Sequence, residues 1–301
     1  MISLDQTLET IEAMCHQELN YQVHDYLGRP SFGPLHECSM IDASCRSSMV
    51  QWCNNLVDFC QYNRETTSYA ISFLDRFMST PDGSMTLMEP DKFQLAAMCS
   101  LYTMAKIHER QALEPSSIAR LSRGVHSAKD VEQMETRMLK ALQWRVNPPT
   151  ALRFVHLYLD LIPNHLLDET SRTAILDLVK YQLNLALSNY PLSLRKPSHL
   201  GLAALLNAID CQDGGDGSFS IYVEERIASL LLACDSNNLL DIRLALATEI
   251  SLQSTSEPMR AILTAHPPTS HAHIPKHYHH NDINIRNDMG SPRVVACDMM
   301  M

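Results

Sequence analysis

The chain has 301 residues, 45% of them hydrophobic, so it can bury a substantial core and fill one large domain or two ordinary ones. Its 24 Lys+Arg against 34 Asp+Glu give a formal net charge of -10 without a basic stripe, which argues against direct binding to a phosphate backbone. Only 9 Gly occur, too few for the turns of a sheet-rich fold of this size, so helices joined by short loops are expected. Met1-Ile2-Ser3-Leu4-Asp5 carries an acid where a secretion signal has positive charge, and no uninterrupted apolar run reaches the roughly 18 residues of a membrane span. None of the 9 Cys forms a Cys-x-x-Cys pair. Cys45, Cys53 and Cys60 fall roughly on one helical face and read as reduced, half-buried thiols, which fits a soluble protein of the cytoplasm or nucleus.

Residues 1–42 read as an N-terminal arm, with an amphipathic stretch around Leu8, Ile11 and Met14 and then an irregular Gly/Pro-interrupted segment from Gly28 to Pro34. From Ala43 a helical period takes over, and Met49, Trp52, Leu56, Val57 and Cys60 share one stripe. A second helix is expected from about Arg64, with Tyr69, Ala70, Phe73, Phe77 and Met78 inward, followed by a loop over Thr80–Ser84. Phe93 to Lys106 is apolar on almost every side, the pattern of a helix at the centre of a bundle. A shorter helix opens at Pro115 and stops at Gly124. A fifth runs from Ser127 to Leu142, with Ser127 and Asp130 spaced as a capping box and Val131, Met134, Met138 and Leu142 on one face. Pro148-Pro149 cannot continue a helix and marks the expected boundary between one domain over 43–147 and another over 150–252.

Helical periodicity then resumes over 150–161, 167–188, 197–209, 219–234 and 238–252, and the third of these is again rich in small apolar residues. The expectation is an all-α fold of two tandem five-helix bundles. Asp213-Gly-Gly-Asp-Gly217 lacks acids at the third and fifth positions of a calcium loop and reads as a flexible connection. Residues 253–301 lose the period, gain Pro, Ser and His, and are expected to be disordered. Their histidines, from His266 to His280, have no structured surroundings to fix a metal. No phosphate-binding glycine loop, nucleophile elbow or His-Glu-x-x-His occurs, so no catalytic residue, metal or cofactor is assigned.

Residues 42–250 resemble the cyclin family, most strongly in Arg46-Ser-Ser-Met-Val-Gln-Trp52, Ser72-Phe-Leu-Asp-Arg-Phe-Met-Ser79, Gln94-Leu95 leading to Ala105-Lys106, and Met134-Glu135 leading to Leu142-Gln-Trp144. Arg46, Asp75, Leu95, Lys106 and Glu135 match the family's identity positions in order. Lys196-Pro197-Ser198, entering an Ala/Leu-rich helix, is similar to the family's second half, and Glu18, Tyr21 and Asp25-Tyr26-Leu27 look like the arm of D-type cyclins. The resemblance implies a regulatory subunit that binds and activates a cyclin-dependent protein kinase in cell-cycle control, in nucleus and cytoplasm. A helical adaptor of the same fold that activates no kinase is the rival. Lys106 and Glu135 would offer the kinase a donor and an acceptor, while Arg46 and Asp75 would pair inside the bundle and Leu95 would be structural. Met49, Trp52 and Gln94 match part of a docking groove for substrates or inhibitors. It is weakened here by Cys45, Ser48, Gln51 and Asn55 in place of larger apolar or acidic residues.

Overall fold

The computed structural model describes residues 4–28, 41–212, 218–231 and 236–254. Among them every regular element is helical: α1 (Leu4–Glu18), α2 (Ala43–Phe59), α3 (Glu65–Met78), α4 (Pro81–Ser84), α5 (Pro90–His108), α6 (Pro115–Leu121) and α7 (Ala128–Ala141) come first. After Pro148-Pro149 follow α8 (Ala151–Asp160), α9 (Glu169–Ser188), α10 (Tyr190–Ser193), α11 (Pro197–Gln212), α12 (Ser218–Ala228) and α13 (Ser236–Ser254). The ends are set by local chemistry. Asp42 accepts from the Cys45 N–H to start α2, Ser127 and Asp130 close a reciprocal capping box on α7, and Thr150 and Asp168 cap α8 and α9.

The segment Thr80–Ser84, expected as a loop, winds instead into the single turn α4, because Thr80 caps it through the Gly83 N–H and Pro81 occupies its first position. Gly83 is required there by contact, since a Cβ would lie 1.9 Å from the Phe77 carbonyl oxygen. The turn α10 carries no sequence signal of its own beyond the Asn189 cap, four residues being too short to show a period.

Two hydrophobic clusters organise the molecule. In the first, α5 lies against α2, α3, α6 and α7, and in the second α11 lies against α8, α9, α12 and α13. Both central helices are apolar on nearly all sides, as a fully surrounded helix must be. The clusters do not follow chain order completely. Ile11, Met14 and Cys15 of α1 pack into the second cluster, whereas Tyr26 and Tyr190 pack into the first.

Glu18, the last residue of α1, is buried and accepts hydrogen bonds from the Ser198 N–H (3.1 Å) and hydroxyl (2.6 Å) at the start of α11. Burial pushes its carboxyl up, against the opposing pull of those two bonds and of the Lys196 charge. The Asp213–Gly217 connection, the tail beyond 254 and most of the Gly28–Pro34 segment lie outside the described residues.

Candidate functional site

Lys106 sits in the last turn of α5 and Glu135 in the middle of α7, which packs beside it. The Lys106 ammonium donates to both carboxylate oxygens of Glu135, each at 3.0 Å. One turn earlier on α5, the Thr103 hydroxyl donates to the same Oε1 at 3.1 Å, which fixes the carboxylate from beneath. The Lys106 side chain is 43% exposed and that of Glu135 13%, so the pair stands at the edge of the core with its cation toward solvent. Partial burial works against the ammonium, but the hydrogen bond and charge of Glu135 outweigh it and hold its pKa above the ordinary 10.5. The Tyr102 ring, 4.8 Å from Nζ, adds to the same effect.

The same two elements expose large apolar side chains that the sequence reading did not single out. Ile107, next to Lys106, is 45% exposed, and Trp144, just beyond α7, is 67% exposed. Gln143 and Trp144 both have left-handed backbones, with φ of 53° and 60°, conformations uncommon outside glycine. The Trp144 N–H donates to the Leu139 carbonyl at 2.9 Å, so the strained turn is anchored while the indole points outward. The sequence signal was the Trp itself, a residue of high contact value placed after the periodic face had ended.

Arg46 and Asp75 meet in a different setting. The guanidinium forks onto the carboxylate through Nε (2.8 Å) and Nη2 (2.7 Å), and both side chains are buried. Its remaining Nη1 donates to the Leu187 carbonyl at 2.6 Å, near the end of α9 in the second bundle. Asp75 also accepts from the Tyr26 hydroxyl of the arm at 2.7 Å. The Tyr190 hydroxyl donates to Asp25 (2.9 Å) and accepts from the backbone N–H groups of Tyr26 (2.8 Å) and Leu27 (3.1 Å), and its ring meets that of Tyr26 edge-on.

Burial opposes the Arg46 charge, and the charge and bonds of Asp75 more than offset it, so the guanidinium is held charged. Burial, followed by the negative charge of Asp75, pushes the Tyr26 hydroxyl well above its ordinary pKa. The pair therefore joins the arm, the first bundle and the second, rather than only α2 to α3 as the sequence suggested.

Met49 and Trp52 on α2 and Gln94 on α5 keep little exposed surface. All three are buried, Met49 completely, and Met49 and Trp52 lie in the first hydrophobic cluster. Leu95 is buried in the same cluster. Cys53 is enclosed there as well, and burial pushes its thiol up to about 12, as suits an inert apolar residue. Among the described residues no group of His, Cys, Asp or Glu is arranged to hold a metal, and no helix is long and apolar enough to cross a membrane.

Residues 9–147 match the family model described as cyclin, N-terminal domain. Cyclin-G2 of Homo sapiens is 30% identical over 164 residues, 53% of this chain and 45% of that relative, so the chain spans less than half of its length. Cyclin-G1 of Bos taurus is 25% identical over 208 residues, 68% of each protein. A viral cyclin from herpesvirus saimiri, solved by X-ray crystallography, superposes with a TM-score of 0.54 at 17% identity, over 70% of this chain and 86% of that one, and shares the fold. Over residues 9–147, a little under half of its length, the chain is therefore similar to the N-terminal domain of cyclins.

Proposed function

We propose that the chain is the regulatory subunit of a heterodimer with a cyclin-dependent serine/threonine protein kinase, and that it activates the kinase in cell-cycle progression. The observation that carries this reading is the Lys106–Glu135 pair, its ammonium partly exposed and its carboxylate braced by Thr103, with the outward Ile107 next to Lys106 in α5 and the outward Trp144 just beyond α7. A charged donor and acceptor beside exposed apolar side chains form a surface that a partner can desolvate and hydrogen-bond at once. Docking there against the kinase's mobile helix would favour its inward arrangement, in which its Glu meets the ATP-site Lys. Activation extends only as far as the chain prefers that state.

The arm residues Glu18, Tyr21 and Asp25-Tyr26-Leu27 are similar to those of D-type cyclins, the subclass staying open without a Leu-x-Cys-x-Glu sequence, and they are held against the bundles. Glu18 binds Ser198, the Tyr21 ring lies 4.9 Å from the Arg76 guanidinium, and Asp25 to Leu27 clasp Tyr190. We read 43–147 and 150–252 as two cyclin-type domains, and nucleus and cytoplasm as the location. With Met49, Trp52 and Gln94 buried, recruitment of substrates or inhibitors along α2 is expected to be weak.

Retention of kinases from cell extract on the immobilised chain, with a histone phosphorylation assay on the retained fraction, tests the proposal. Lys106→Ala and Glu135→Ala should each abolish retention with helical content unchanged. Full retention by both variants overturns the assignment of this surface. A chain that retains a kinase without raising its activity is an adaptor of the same fold.

A further inference from the structure

A cleft of about 910 Å³ opens between the arm, α3, the Pro148–Leu152 connection and α9, away from the Lys106–Glu135 pair. Its lining is of two kinds. Ile71, Leu152, Leu183, Leu187 and Leu200 supply apolar surface, and Arg64, Lys180, Arg195 and Lys196 supply positive charge. The volume is at the upper end of what a compact ligand fills and is large enough for several residues of an extended peptide.

The acids of the cleft are already engaged. Glu18 accepts from Ser198, Glu65 from the Thr150 hydroxyl, and Asp75 from Arg46 and Tyr26. Two of the cations, Arg195 and Lys180, are engaged more weakly. Arg195 donates to the neutral amide oxygen of Asn238. Arg64 forks onto both carboxylate oxygens of Asp58, whereas Lys180 meets only one oxygen of Asp177, in an exposed pair one helical turn away. Exposed pairs of this sort contribute little and exchange readily for a better partner. A chain of net charge -10 thus presents at this cavity two cations, Lys180 and Arg195, whose local partners are solvent-exposed or neutral, while the neighbouring acids are occupied.

We propose that this cleft is a second binding site, which takes a short acidic peptide segment of a partner protein, its carboxylates on the Lys180/Arg195 rim and its apolar side chains on the leucine-lined wall. Charge complementarity chooses the occupant. A basic segment would face the same rim with repulsion, and a purely apolar one would leave the rim cations without gain.

Fluorescence anisotropy with the full chain provides the test, using a labelled eight-residue peptide of alternating Glu and Leu, its Lys/Leu counterpart, and a short single-stranded DNA. The Glu/Leu peptide is expected to bind at least about tenfold tighter than either control, and to weaken as salt is raised because rim charges are screened. The double variant Lys180→Glu, Arg195→Glu should weaken it about tenfold, with an unchanged melting temperature. Should that variant melt early, Lys180→Gln, Arg195→Gln must still weaken binding by about threefold.

Lys106→Ala should bind the peptide as the parent does, which separates this site from the kinase surface. No binding of the Glu/Leu peptide, equal binding of the Lys/Leu peptide, or undiminished binding by a well-folded rim variant overturns the proposal. DNA binding as tight as that of the peptide overturns the peptide class.

Discussion

Arg46–Asp75 and Lys106–Glu135 have nearly equal separations, 2.7 Å and 3.0 Å, yet their side-chain exposures are 0% and 2% in one case and 43% and 13% in the other. In the buried pair both ions have lost water, the third guanidinium nitrogen donates to the Leu187 carbonyl, the carboxylate also accepts from the Tyr26 hydroxyl, and the Tyr190 ring lies 5.7 Å from the guanidinium. Removing one member leaves a charge with no solvent to return to. In the surface pair the ammonium keeps much of its water, so the bond adds little to folding and can be exchanged for a bond to another molecule. Burial, more than distance, separates a structural ion pair from one fit for recognition.

The sharpest way to break this contrast is Asp75→Ala, which should destabilise the chain by roughly 3–5 kcal/mol because Arg46 is left charged and unpaired in the core. Urea unfolding measures it, and a loss close to that of an exposed pair would show that the junction relaxes and admits water. Tyr190→Phe removes the hydroxyl that serves Asp25 and two arm N–H groups, and should cost about 1–3 kcal/mol. Proteolytic nicking before residue 43 should rise in that variant, and an unchanged nicking rate would mean the arm is held by other contacts.

At the surface, Lys106→Ala should change unfolding stability by no more than about 1 kcal/mol while kinase retention is lost. A larger loss of stability would move the pair into the structural class.

The smallest expected effect concerns Glu18, whose folded pKa is raised above its ordinary 4.5 by burial. A raised acid binds its proton more tightly in the folded state. Its contribution is therefore most favourable when protonated and declines as pH rises from about 4.5 through the raised value. The melting temperature of Glu18→Gln relative to the parent should accordingly climb over that interval and then level off. A flat difference would mean that the Ser198 bonds cancel the burial cost.

The helices were readable because periodicity, caps and prolines are local signals. The buried α5 and α11 were the plainest, since Phe93 to Lys106 and Leu200 to Ile209 leave almost no polar side. Arg46 and Asp75 could be named from the resemblance alone. The other groups on that junction could not: Leu187 contributes only a backbone carbonyl, which no residue identity announces, and Tyr26 and Tyr190 are 164 residues apart in the chain. The burial of Met49 and Trp52 was not legible in the same way, because an apolar stripe looks the same whether it faces a neighbour in the fold or a partner outside it.

What the amino-acid order determined by itself was therefore the all-α character, most helix boundaries though not the end of α12, which stops at Ala228 and not at 234, and the residues able to form charged pairs. Those follow from backbone preferences and side-chain periods a few residues long. Only the tertiary structure decided that α1 packs with the second cluster, that one ion pair is sealed while the other meets solvent, and that a cation-rimmed cleft lies between arm and bundles. Each of these depends on which distant surfaces exclude water from one another, and exclusion of water is a property of the assembled chain.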